Sequence, residues 1–134
     1  MMKHPSLLFI VFLLAAGLTH ANAQSLVNTN WKTFIGGEVN DTLVLHIRTD
    51  SSYVTNGTGT VVVRSVCKIS GDTLSLADYD GEYACPNMTG RYKVAQPGDL
   101  LVFTLIDDPC DGRAGALPNT KWRKAMAPAG VKTP

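Results

Sequence analysis

The chain has 134 residues, of which 45% are hydrophobic and 17% charged, with a formal net charge of +1. That size and balance suit one globular domain, and the absence of a basic run or stripe argues against nucleic acid or an anionic membrane surface as partner. Two of the three histidines, His4 and His20, lie in the first 23 residues. His46 is then the lone imidazole of the remainder, which excludes a site that needs two histidines from one chain.

Residues 1–23 read as a removed signal peptide. Lys3 and His4 form a short basic start, Leu7 to Leu18 is an apolar run, and Ala21-Asn22-Ala23 supplies a small-x-small cleavage site before Gln24. The apolar run is about 12 residues, short of the roughly 20 of a spanning helix, so no integral membrane segment is expected after cleavage. Export to a periplasm or medium follows, and residues 24–125 are expected to form the domain.

Strand signals then dominate. Trp31 marks the first strand. In Asp41 to Asp50, Leu43, Leu45 and Ile47 share one face, and Val44, His46 and Arg48 the other. Ser51 to Val54 follows and turns at Asn56-Gly57. In Thr58 to Ile69, Val61, Val63, Cys67 and Ile69 fall on one face, with Val62, Arg64 and Lys68 opposite. Ser70-Gly71-Asp72 turns the chain, and Leu74 and Leu76 return on the apolar face as a hairpin. Asp78 to Met88 reads as a polar loop. Gly90 to Val94 alternates with Tyr92 and Val94 inward, and Leu101, Phe103 and Leu105 continue that face after the Gln96–Asp99 turn. Asp107 to Pro118 reads as a second long loop, Asn119 to Lys124 as the last strand, and residues 126–134 as a disordered tail.

About eight short antiparallel strands with a single apolar face predict an all-β fold, a small eight-stranded up-and-down barrel. Trp31 and Trp122 sit at the two ends of the sheet, where a closing barrel brings its first and last strands together. They are expected to pack at that seam, with Arg123 or Arg113 lying across Trp31. The three cysteines allow three pairings in an oxidising compartment. Cys85 and Cys110, both in Pro- and Gly-containing loops, are the expected pair, which leaves Cys67 as a buried free thiol.

Asn30-Trp31, Gly90-Arg91-Tyr92, Asp108-Pro109-Cys110-Asp111-Gly112-Arg113 and Trp122-Arg123, in that order, resemble the small secreted bacterial lipocalin-like domains of the calycin superfamily. The resemblance spans nearly all of the chain after residue 23. It implies a lipocalin-like barrel, and Asn30 stands where lipocalins carry the glycine of Gly-x-Trp.

Chemistry-bearing residues are sparse. His46 falls on the outer face, where a solvated histidine is expected rather than a metal or haem ligand. Asp107, Asp108 and Asp111 beside Arg113 suit a turn held by Asx-type bonds and an Asp–Arg pair better than a calcium loop or a general acid/base pair. Cys67 lacks a histidine partner. No catalytic residue, metal or cofactor is expected, and the isomerase or cyclase chemistry some calycin barrels host is the last of three readings. Asn40, Asn56 and Asn87 begin glycosylation sequons, which matter only in a eukaryotic source.

The first reading is a monomeric module that holds a small hydrophobic or amphipathic ligand against an interior of Leu43, Leu45, Val61, Val63, Leu74, Leu76, Tyr92, Phe103 and Leu105. The second is a filled barrel acting as a protein-interaction or inhibitor module through loops 79–89 and 107–118.

Overall fold

The computed structural model describes residues 26–126; the expected signal peptide and the tail beyond Met126 lie outside them. Eight strands follow one another around a closed barrel: β1 (Thr29–Ile35), β2 (Asp41–Ile47), β3 (Ser51–Thr55), β4 (Val61–Ser70), β5 (Thr73–Asp80), β6 (Thr89–Ala95), β7 (Leu100–Asp107) and β8 (Trp122–Ala125). Each pairs antiparallel with the next, and β8 closes on β1 with Trp31 opposite Lys124. The all-β, eight-stranded up-and-down barrel read from the alternation is the fold observed. A short helix, α1 (Asp111–Ala116), lies within the β7–β8 connection, where a plain loop was expected.

Alternation places the core. In β6, Gly90, Tyr92 and Val94 are buried and their neighbours exposed, and in β2 Leu43, Leu45 and Ile47 are buried with half-buried neighbours. Both tryptophans are buried within the barrel. The two ends differ. At one, tight connections at 48–50, 71–72 and 96–99 join the strands, and buried Leu26, Ile47, Leu74 and Leu101 plug the base. Cys67 sits in this core as the expected free thiol. Burial pushes its pKa up to about 11, against a hydrogen bond from Ser52, with the Asp50 charge adding to the rise, so it stays an inert thiol.

At the other end, segments 36–40, 56–60, 81–88 and 108–121 surround an open mouth. All three register shifts fall near this rim. Val54 pairs with Val63 but Thr55 with Val61, so Val62 is an extra residue. Tyr79 is extra between the pairs Arg64–Asp80 and Ser65–Asp78, and Ile106 between Arg91–Asp107 and Tyr92–Leu105. Such bulges bend strands at barrel rims.

Two expectations change here. The Val62 bulge breaks the shared parity of Val61 and Val63: Val61 pairs with outward Thr55, and Val62, expected outside, is 1% exposed. Segment 81–83 covers Val62, with Tyr83 N–H donating to its carbonyl at 3.0 Å. Gly81 permits that crossing. Its φ is +119°, and a Cβ there would collide with the Val62 carbonyl. Gly81→Ala is therefore expected to lose about 1–3 kcal/mol of stability through strain, read as a lower urea midpoint at unchanged slope. An unchanged midpoint would show that the crossing is not needed.

Candidate functional site

The barrel is filled on one side and hollow on the other. On the filled side, Tyr92 meets Phe103 edge-to-face at 5.9 Å, and Phe103 meets Trp122 in the same way at 6.3 Å. These rings occupy the interior beside β6, β7 and β8. The opposite half, walled by β1 to β5, holds a cavity of about 380 Å³ beneath the mouth. Leu43, Leu45, Val54, Val63 and Leu76 form its apolar wall, with Ile35 and Val39 above and Trp122 at the boundary with the filled side.

Helix α1 roofs part of this space. Gly112, Arg113, Ala116 and Leu117 line the cavity, a one-sided spacing of a single helical turn. The helix holds two glycines in six residues and has little intrinsic propensity. Local side-chain bonds close its C-terminal end: Asn119 Nδ2 donates to the Gly115 carbonyl and Thr120 Oγ1 to that of Ala116, each at 2.8 Å. The expected Cys85–Cys110 disulfide is present and ties segment 81–88 to the residue before the helix. Both cysteines line the cavity.

A buried charged cluster supports that roof. The Arg113 side chain is 9% exposed, and it grips Asp108 with two bonds, Nε to Oδ2 at 2.6 Å and Nη2 to Oδ1 at 2.8 Å. Nη2 also donates to the Met88 carbonyl at 2.9 Å. Asp108 accepts the Tyr92 hydroxyl and, at 2.9 Å, the Cys110 N–H, an Asx-type bond. Burial alone would raise the Asp108 pKa; the bonds from Arg113, Tyr92 and Cys110 outweigh it and hold the carboxyl below its ordinary value. Burial and Asp108 together push the Tyr92 phenol well up. Gly90 makes room for this carboxylate, because a Cβ there would strike it.

Asp78 is the second anion. It lies on β5 and is 6% exposed. It accepts Ser65 Oγ at 2.6 Å and the Cys85 N–H at 2.9 Å. Arg113 Nη1 stands 3.0 Å from Asp78 Oδ1, an ion pair whose angles fall outside those of a hydrogen bond. Ser65, Asp78 and Arg113 thus make a polar corner on a largely apolar cavity, which Ser52 and Tyr83 also line.

Of the nine interior residues expected, Leu43, Leu45, Val63 and Leu76 line the cavity. Leu74, Tyr92 and Phe103 are buried but belong to the base and the filled side. Val61 is turned away by the bulge. Leu105 keeps inward parity opposite Tyr92 but lies near the rim, where it is 44% exposed. The arginines do not lie across Trp31. Arg113 is held by carboxylates, and Arg123 is exposed at the seam opposite Lys32. Trp31 Nε1 donates instead to Thr29 Oγ1 at 2.8 Å.

His46 faces outward but is not simply solvated. Its ring nitrogens lie 3.0 Å from Asn30 Oδ1 and 2.9 Å from Thr55 Oγ1, and Tyr53 stacks on it at 4.3 Å. Burial first, then the Arg48 charge, lowers its pKa. Among the described residues, no three or more His, Cys, Asp or Glu side chains are grouped to hold a metal ion, and no helix is long and apolar enough to cross a membrane.

The polar corner had a sequence signal. Asp78 continues the parity of Leu74 and Leu76, and Ser65 that of Val63 and Cys67. Comparison of the chain with family models, curated proteins and solved structures finds no match.

Proposed function

We propose that this protein is an exported, lipocalin-like carrier that binds one small amphipathic molecule in the half-hollow barrel. The observation that carries the reading is the 380 Å³ cavity: apolar along β1 to β5, polar at Ser65, Asp78 and Arg113, and open at the mouth. Ligand sites of this kind combine an apolar wall with a few convergent polar groups. At the roughly 30 Å³ that a water molecule occupies in the liquid, the space suits about a dozen non-hydrogen atoms. Affinity comes from burying apolar surface, at about 25 cal/mol per Å² before ordering costs. The disulfide suits an oxidising compartment, in keeping with export.

Native mass spectrometry of the non-reduced protein, purified without detergent from its own medium or periplasm, tests this. An adduct of roughly 150–200 Da, the mass of about a dozen non-hydrogen atoms, that leaves on denaturation is the expected result. Val54→Trp, which extends a half-buried wall residue into the cavity, is expected to abolish the adduct while the circular dichroism stays that of the barrel. A bare mass together with failure of Val54→Trp to alter binding of any apolar probe would overturn the reading.

The interaction-module reading draws on a different observation. Tyr79, Tyr83, Met88, Leu105 and Ile106, all near the rim, are at least 40% exposed. A partner that covers them would bind equally well with the cavity filled by Val54→Trp.

A further inference from the structure

The cavity fixes where a ligand sits, and the charges around it select among ligands of that size. Asp78 and Arg113 line the cavity, and Asp108 is held on the other edge of the same guanidinium. None of these three side chains is more than 9% exposed. Two carboxylates against one guanidinium leave the cluster negative by one, in surroundings that screen little.

The mouth carries the same sign. Glu38 and Glu82 stand in segments 36–40 and 81–88, Asp41 opens β2, and Asp111 opens helix α1. Among the described residues, none of these four is in an ion pair. The arginines of this end are already committed: Arg64 to Asp80, Arg91 to Asp107, and Arg113 to the buried pair. Lys121 is the one cation of the described mouth segments outside an ion pair. The base has the opposite balance. Lys68, Lys93, Arg123 and Lys124 lie in the base halves of their strands and Arg48 at the first tight connection, against Asp50, Asp72 and Asp99. The field along the barrel axis therefore draws positive charge to the mouth, and a cleft between low-dielectric walls focuses it.

We propose that the ligand is an amphipathic cation: an apolar body in the cavity, with an ammonium or amidinium head at the acidic mouth. This rests on the ligand-binding reading above and adds to it the charge class and the orientation. At the open mouth the head keeps its water, so the cost of burying a charge does not arise. A carboxylate of the same shape meets repulsion from the rim and from the cluster beneath it.

Three probes of one skeleton separate the possibilities: 2-aminotetralin, 2-tetralol and tetralin-2-carboxylate, titrated by calorimetry at pH 7 into the intact disulfide-bonded protein. At about 0.1 M salt the amine is expected to bind about fivefold more tightly than the alcohol, and the carboxylate more weakly than either. At about 1 M salt, where charges are screened beyond about 3 Å, the amine's advantage should fall below about twofold. Glu38→Gln/Glu82→Gln/Asp111→Asn should remove most of that advantage at about 0.1 M. Asp50→Asn/Asp72→Asn/Asp99→Asn makes the same change in net charge at the base and should leave most of it in place.

An amine that binds no more tightly than the alcohol would overturn the proposal while leaving the carrier reading intact. So would a carboxylate that binds most tightly, or equal effects of the two triple variants. Amine binding that survives Val54→Trp lies outside the cavity and would also overturn it. Should a triple variant fail to fold, the order of the probes and its salt dependence on the unaltered protein decide alone. If no probe binds and no native adduct exists, the carrier reading falls and takes this one with it.

Discussion

Replacing Arg113 by methionine is expected to lower the unfolding free energy by about 3–5 kcal/mol, the range for removing one partner of a buried ion pair. Methionine keeps much of the apolar stem, so the loss isolates the charge. Asp108, whose side chain is 0% exposed, and Asp78, at 3%, would remain without their cation. That is a large share of the roughly 5–15 kcal/mol that holds a small domain together. Urea denaturation at pH 7 measures it.

The pH dependence gives a second handle. In the unaltered protein the Asp108 pKa is below its ordinary 3.8, so its contribution is present above that value and is lost as pH falls through the folded-state pKa. Without Arg113, its bonds and charge no longer oppose burial, so the Asp108 pKa rises relative to that of the parent. The destabilisation is then relieved as pH falls, so the gap between variant and parent should narrow on acidification. A variant that keeps its stability at pH 7 but loses a partner would instead assign Arg113 to a docking surface.

Removing the disulfide with Cys85→Ser/Cys110→Ser is the other large effect. The cysteines are 25 residues apart, and the chain-entropy model assigns such a loop about 3–4 kcal/mol. For a domain of this size that lowers Tm by about 10–20 °C. Reduced wild-type protein should melt with the double variant. A drop of only a degree or two would mean that the roof is held by its polar contacts alone. The two perturbations are not independent, because Asp78 accepts the Cys85 N–H and Asp108 the Cys110 N–H. Combined, they should cost less than the sum.

Much of the fold was legible because period-two alternation survives in β2, β5 and β6, and tight turns separate the strands. The disulfide was legible from loop placement. What escaped has specific causes. A bulge adds a residue and reverses parity beyond it, so Val61 turned out of the interior and Val62 came to lie beneath segment 81–83, while every residue type still suited a strand. Helix α1 owes its existence to contacts from Asn119, Thr120 and the disulfide, none of which alters the local pattern Asp-Gly-Arg-Ala-Gly-Ala. Leu105 was correct in parity but lies too near the rim to be covered. Asp78 and Ser65 were missed because polar side chains on an apolar face read as the start of a loop or as surface, until a buried guanidinium is known to stand opposite.

The halves of this barrel answer to different demands. The rings of Tyr92, Phe103 and Trp122, with the Arg113 cluster, anchor the roof and the seam, while the wall of Leu43, Leu45, Val54 and Val63 bounds empty space. Substitutions on the wall change the volume and shape of that space with little loss of mutual packing, because few side chains lean on one another across it. Substitutions among the rings have no such latitude. A lineage carrying this architecture is free to re-line one half, residue by residue, and so to reshape the cavity while the other half holds the barrel constant. Trp122, which belongs to both, is the position where that freedom ends.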